Sequence, residues 1–256
     1  MTTAINSLAE ALVSAVPGPT SNLVLAKIHA DMLAASTHIR QPHFRSIHVN
    51  DLQFLFDAYD HRFLNARCRG ALNGSSLTFR LAKRMTKTAG TTTRFRSRDG
   101  SVRYEIAIAT SLLFDGFGPA DREVTVCGLS VNDRLEALQR VFEHEFVHLC
   151  ETLSWGDSNC AAGRFQHIAT GLFGHQSHRH ALITRNERAA EIGILPGAKV
   201  SFLHEGQSMT GIVNRVTKRA TVLVEDSGGR RYSDGRYYRS YYVPLRGLHL
   251  VQAVTA

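Results

Sequence analysis

Cysteine is scarce and irregularly placed: Cys68, Cys127, Cys150 and Cys160 are the whole supply in 256 residues, and no two form a CxxC pair. That spacing excludes a four-cysteine zinc ribbon and offers no disulfide framework. A reducing, cytoplasmic setting is therefore the default expectation. Long apolar runs are missing too. No stretch of eighteen apolar residues exists that could cross a membrane. The first residues, MTTAINSLAEALVSAVPG, carry Glu10 and no basic stretch, so they do not read as a secretory signal. Internal repeats and low-complexity tracts are absent. Acidic residues are in deficit, with 22 Asp and Glu against 30 Lys and Arg, a net +8. Such an excess points to a polyanionic partner, nucleic acid before membrane. What the chain does have is apolar material: 43% hydrophobic and 20% charged residues exclude global disorder. Its length is generous for one domain and short for three, which predicts a main domain with a smaller one appended.

Hydrophobic periodicity predicts several helices and a few short strands ahead of residue 190. Ser7 to Val16 reads as a short helix ended by Pro17-Gly18, and a second helix is expected from Ser21 to about Ala35. Leu52, Leu55, Phe56, Tyr59 and Phe63 recur at helical spacing behind Asn50 or Asp51 as cap, giving a helix over 51–66. Leu77 to Ala82 and Arg103 to Ala109 alternate as neighbouring strands, and the stretch from Gly90 through Thr91, Thr92 and Thr93 to Gly100 reads as the turn between them. The strongest helix runs from Asn132 to Trp155, with Asn132 or Asp133 as cap, and another follows over about 161–173 up to Gly174. After Pro196-Gly197 the texture becomes short alternating runs between glycines, which predicts a small all-β barrel similar to SH3-like or KOW-like barrels. The expected division is a helical segment 1–50, a main domain 51–195 and a barrel 196–256.

Histidine is the residue in surplus. Six of thirteen, His144, His148, His167, His175, His178 and His180, fall within one stretch of 37 residues, where an even spread would put about two. Inside the strongest helix stands His144-Glu145-Phe146-Val147-His148. Spacing of i, i+4 aims both imidazoles from one helix face at one metal ion, with Glu145 beside them. The chemistry this predicts is zinc-assisted hydrolysis, in which Glu145 takes the proton of the attacking water and passes it to the leaving amine. A third ligand is required, and Glu151, Cys160, His167 and His175 are the candidates. Glu151 lies on the same helix and is better suited to orienting a ligand. Cys160, at the start of the next helix, is the preferred donor. His178 and His180 alternate as on a strand, facing either substrate or core.

Beyond the HExxH motif, an ordered set of segments over about residues 50–183 resembles the SprT-like zinc metalloproteases, a family that includes a eukaryotic DNA-dependent protease. Leu55-Phe56-Asp57-Ala58-Tyr59-Asp60-His61-Arg62-Phe63-Leu64 is similar to the family's opening helix, and Arg84-Met85-Thr86-Lys87-Thr88-Ala89-Gly90 to a strand and turn. Glu105-Ile106-Ala107-Ile108 with Leu112-Leu113 resembles the strand before the motif helix, and Phe165 with Leu172-Phe173-Gly174-His175 the helix after it. The resemblance implies a small α+β domain that packs helices against a short sheet, with His144 and His148 as zinc ligands, Glu145 as catalytic base, and peptide-bond cleavage in DNA-bound or crosslinked proteins. It also implies a third ligand four residues before Phe165, where this chain has Ala161; Cys160, one residue away, is the candidate substitute. The family's Cys-rich ribbon is replaced here by the barrel. An alternative reading of the same residues, favoured by the missing histidine, is a catalytically inactive, metal-stabilised nucleic-acid-binding protein.

Two basic surfaces are candidates for that nucleic acid. Between positions 80 and 103 stand Arg80, Lys83, Arg84, Lys87, Arg94, Arg96, Arg98 and Arg103 against Asp99 alone, and Arg84, Lys87, Arg94, Arg96 and Arg98 are the expected contacts. In the barrel, Arg230, Arg231, Arg236 and Arg239 interleave with five tyrosines, a pattern suited either to stacking bases or to covering a small core.

Overall fold

The structure, a computed structural model, describes residues 2–118, 122–217 and 219–251. Two compact units divide the chain, Met1–Leu182 and Ile183–Ala256. Among the described residues, no helix is long and apolar enough to cross a membrane.

The first unit is α+β. In chain order it runs α1 (Thr2–Val13), α2 (Pro19–Ala35), α3 (Val49–Leu64), α4 (Arg67–Leu72), β1 (Ser76–Leu81), β2 (Gly90–Arg96), β3 (Val102–Ile108), α5 (Thr110–Asp115), β4 (Val124–Val126), β5 (Leu129–Val131), α6 (Arg134–Trp155), α7 (Gly163–Phe173) and β6 (His180–Ala181). Its centre is α6. Asp133 caps the helix by accepting hydrogen bonds from the backbone N–H groups of Leu135 (2.8 Å) and Glu136 (2.9 Å), and Gly156 ends it at φ 83°. The apolar stripe predicted for α6 is buried against α3, where the Tyr59 ring stacks on Phe142 at 5.9 Å and Phe56 meets Phe146 edge-on at 5.9 Å. Phe173 of α7 closes the cluster, 5.5 Å from Tyr59.

The sheet beside this helix differs from the expectation at one point. Gly90 to Arg96 is a strand, not a turn. β2 pairs antiparallel with β3, β1 pairs parallel with β3, and the order β1-β3-β2 makes β2 an outer strand. Three consecutive threonines are β-branched and suit a strand; the turn is confined to 97–101, where Ser97 N–H donates to Ser101 O at 2.9 Å. A second small sheet, β5-β4-β6, is built on a two-residue hairpin turn with Cys127 at φ 55° and Gly128 at φ 77°. The cap of α3 lies earlier than the expected Asn50 or Asp51, at His48: His48 Nδ1 accepts from Asn50 N–H at 3.2 Å, and the Asp51 carboxylate accepts from His48 N–H at 2.7 Å.

Residues 1–50 do not stand apart as a segment. α1 packs on α4 and α6, α2 on α3, and Leu8, Leu12, Ile28 and Met32 are fully buried in the same unit. The second boundary also falls earlier, at 182/183 rather than 195/196, because α8 (Arg185–Glu191), capped by Thr184, contributes Ala189 to the second core. That unit continues as β7 (Lys199–His204), β8 (Gln207–Val216), β9 (Ala220–Arg231), β10 (Tyr237–Val243) and β11 (His249–Leu250). These form an antiparallel five-stranded sheet in the order β10-β9-β8-β7-β11, over a core that includes Val200, Phe202, Val213, Val222 and Ile194. Tyr238 and Tyr241 serve that unit's packing: Tyr238 is buried with its hydroxyl donating to Asp234 at 2.8 Å, and Tyr241 packs on Phe202 and His204. Tyr237 and Tyr242 are exposed.

Candidate metal centre

Helical geometry alone brings His144 and His148 together, and their Nε2 atoms lie 3.1 Å apart. Two imidazole nitrogens on a tetrahedral zinc ion, with Zn–N bonds of about 2.0–2.1 Å, are separated by roughly 3.3 Å. Cys160 completes a group of three, with one donor atom from each residue and all within 4.8 Å of one another. Its position comes from the α6–α7 connection. Gly156 turns the chain in the left-handed region, and Asn159 then makes a local turn, accepting Ala161 N–H on its side chain at 3.0 Å and Ala162 N–H on its carbonyl at 2.9 Å. Cys160 sits between these contacts, half-buried.

Proton accounting fixes the tautomer of His148. Ser158 Oγ lies 2.5 Å from Glu151 Oε2 and 2.7 Å from His148 Nδ1. A serine hydroxyl has one proton, and the carboxylate can only accept, so Ser158 donates to Glu151 and accepts from His148 Nδ1–H. The lone pair of His148 is thereby left on Nε2, toward His144. Glu151 is fully buried and is held by Arg164 Nε at 2.7 Å, with that guanidinium lying over the Trp155 ring. Glu151 therefore orients His148 through Ser158 and is not itself among the grouped donors. Ser158 was not anticipated; its hydroxyl matters only because the loop returns it to α6.

Glu145 is buried on the other side, against the outer strand. Thr92 Oγ1 lies 2.8 Å from the Glu145 carbonyl and 2.9 Å from its Oε2. Gly90 leaves room for the side chain: a Cβ at that position would stand 2.6 Å from Glu145 Cγ. Burial pushes the Glu145 carboxyl up to about 8, with the Thr92 hydroxyl opposing. A carboxyl whose proton affinity lies near neutrality is matched to moving protons. Burial, then the neighbouring His180 and His148, lowers His144 to about 2, and burial followed by the other histidines lowers His180 to about 4. These imidazoles are neutral at ordinary pH, the form that ligates metals.

The other candidate ligands are engaged elsewhere. His167 is exposed on α7 and its Nε2 donates to Val13 O at 3.0 Å. His175 is buried, and its Nε2 donates to Glu143 Oε2 at 2.9 Å. Glu143 also accepts from Tyr59 Oη at 2.9 Å and from Arg140 Nη1 at 3.0 Å. Burial works against a charge on Glu143, but Arg140 and His175 outweigh it and hold the carboxyl below its usual value. This network ties α6 to α3 and to the segment that follows α7. His180 lies on β6 and, with Cys127 and His144, makes a second group of donors within 4.8 Å of one another. Sequence spacing gave no sign of Cys127, which lies 17 residues before His144 and 53 before His180.

Arg84, Lys87, Arg94, Arg96 and Arg98 are all exposed. Strand alternation puts Arg94 and Arg96 on the same face of β2 as Gly90 and Thr92, the face turned to Glu145. Arg98 is in the β2–β3 turn, and Arg84 and Lys87 are in the β1–β2 connection. In the second unit, Arg215, Arg230 and Arg239 line an open cleft with Tyr232 and Tyr242. Comparison with known protein families, with curated proteins and with solved structures finds no match.

Proposed function

We propose that the protein is a zinc-dependent metallopeptidase of SprT-like type that hydrolyses peptide bonds in DNA-bound or crosslinked proteins. The observation that carries this reading is the approach of the His144 and His148 Nε2 atoms to 3.1 Å, with Cys160 in the same donor group. Two neutral imidazoles and a cysteine sulfur suit zinc, and three protein donors is the count of a catalytic site, which keeps one position for water or substrate. When bound there, the ion supplies Lewis-acid polarisation of the scissile carbonyl and acidifies a water. The rest falls to the chain. Ser158 and Glu151 hold His148 in its ligating tautomer. Glu145, aligned by Thr92 and seated over Gly90, takes the proton of the attacking water and returns it to the leaving amine.

Positive charge on the Glu145-facing side of β2 supports the DNA part of the reading. Arg94 and Arg96 there, with Arg98 at the turn, would let a duplex carrying the substrate protein lie beside the donor group. The second unit, read as an SH3-like or KOW-like barrel, adds a basic and aromatic cleft for the same polyanion.

The test is Glu145→Gln. Cleavage of a DNA-bound protein should fall below detection while zinc content and DNA affinity stay at wild-type values. Wild-type protein that binds zinc and DNA yet cleaves nothing would instead make this a metal-stabilised nucleic-acid-binding protein.

A further inference from the structure

We infer that Cys127, His144 and His180 form a second metal-binding position, for zinc or a similarly thiophilic divalent cation, that shares only His144 with the peptidase site. His144 has two ring nitrogens, and they face different ways: Nε2 lies 3.1 Å from His148 Nε2, whereas Nδ1 lies 3.9 Å from Cys127 Sγ. His180 Nδ1 lies 3.7 Å from the same sulfur, and the three donors are within 4.8 Å of one another. With Zn–S of about 2.3 Å and Zn–N of about 2.0–2.1 Å, a tetrahedral ion separates sulfur from nitrogen by roughly 3.6 Å. Both observed distances are within a few tenths of an ångström of that edge.

Three separate elements deliver these donors, and the backbone ties them together. Cys127 occupies the first position of the β4–β5 turn at φ 55°, a conformation that asparagine or glycine adopts more easily. Its main chain is fully committed: Cys127 N–H donates to Arg179 O at 2.9 Å, and Cys127 O accepts from Gln176 and Ser177 N–H, both at 3.0 Å. β4 pairs with β6 so that Val126 stands opposite His180. The sulfur and the His180 ring are therefore registered by the sheet, and α6 brings His144 to within 4.8 Å of His180, centroid to centroid. Two imidazoles and a sulfur are a soft donor set that favours zinc over magnesium or calcium. Uptake of the cation releases the thiol proton to solvent. Were both nitrogens of His144 engaged, the ring would also give up its remaining proton to solvent.

The experiment strips the full chain of metal with chelator, titrates it with Co2+ and measures Zn2+ equivalents by elemental analysis. Wild type should hold two equivalents. The double variant His148→Ala/Cys160→Ala should hold one and still give a thiolate-to-cobalt charge-transfer band, and Cys127→Ser added to that background should remove both. Cys127→Ser alone should keep one equivalent and retain cleavage, and His180→Gln, which leaves the strained turn untouched, repeats that readout if Cys127→Ser does not fold. One equivalent in wild type that survives Cys127→Ser and His180→Gln but vanishes in His148→Ala/Cys160→Ala overturns the second position and leaves the peptidase reading intact. The reverse pattern, with all metal lost on Cys127→Ser and none on His148→Ala/Cys160→Ala, upholds the second position and removes the peptidase site instead.

Discussion

Gly90 offers the sharpest perturbation of the proposed base. Its backbone is ordinary strand, so alanine meets no conformational barrier, and the whole effect arises from one added carbon. That carbon would stand 2.6 Å from Glu145 Cγ, 2.7 Å from Oε1 and 2.9 Å from Cδ, where ordinary contact begins near 3.4 Å. Glu145 must then give way by about 0.8 Å, or β2 must lift from α6. Overpacking of this kind costs about 1–3 kcal/mol of stability. A displacement approaching 1 Å in a group that must meet the reacting water costs on the order of a hundredfold in rate, about 2.7 kcal/mol of barrier. Gly90→Ala should therefore lower kcat on a DNA-bound protein substrate about a hundredfold while zinc content stays at the wild-type level, because Glu145 is not a ligand. Steady-state cleavage, elemental zinc analysis and a thermal melt check this. A folded, zinc-loaded Gly90→Ala protein with wild-type kcat would refute the placement of Glu145 as the base.

Three further expectations concern the surroundings of the site. Ser158→Ala removes the acceptor that fixes His148 and should weaken zinc binding about 10- to 100-fold in a competitive chelator titration, with unchanged affinity counting against the Glu151-Ser158-His148 relay. At the start of α6, burial of Asp133 opposes its charge, but His29 and the N–H groups of Glu136 and Leu135 outweigh it and hold the carboxyl below its usual 3.8. Asp133→Ala should cost about 1 kcal/mol in denaturant melts near neutral pH. A lowered folded pKa means that the charge stabilises the fold above the unfolded value and that this share is lost as pH falls through the folded one, so the stability gap between wild type and Asp133→Asn should close below about pH 3.8. The triple variant Arg94→Ala/Arg96→Ala/Arg98→Ala should weaken DNA binding and reduce the slope of log affinity against log salt by about 0.9 for each phosphate no longer neutralised, while an unchanged slope would move the DNA surface off β2.

How far the site was legible depended on sequence distance. α6 was readable almost in full because its determinants are local: Asp133 caps it, the apolar stripe recurs every three or four residues, and i, i+4 spacing brings His144 to His148 whatever the rest of the fold does. Cys160 was within reach for a similar reason, a short loop returning to its own helix. The strand at Gly90 was not, because a glycine followed by threonines carries turn and strand signals at once, and pairing with β3 decided between them. The purpose of Gly90 was invisible altogether, since its contact with Glu145 spans more than fifty residues. Clustering misled in the opposite direction. His167 and His175 stand near the motif in sequence, yet the rotation of α7 sends one to solvent, and the left-handed turn at Gly174 sends the other to Glu143. Cys127, which carried no motif, arrives at His144 through the β4–β6 pairing. Proximity in the chain and proximity in the fold thus select different partners for the same histidine: His148 for Nε2, from within one helix, and Cys127 for Nδ1, from across a sheet. His144 is the one residue on which both sets depend, so its replacement should abolish metal binding at both positions, whereas no other single donor can do so.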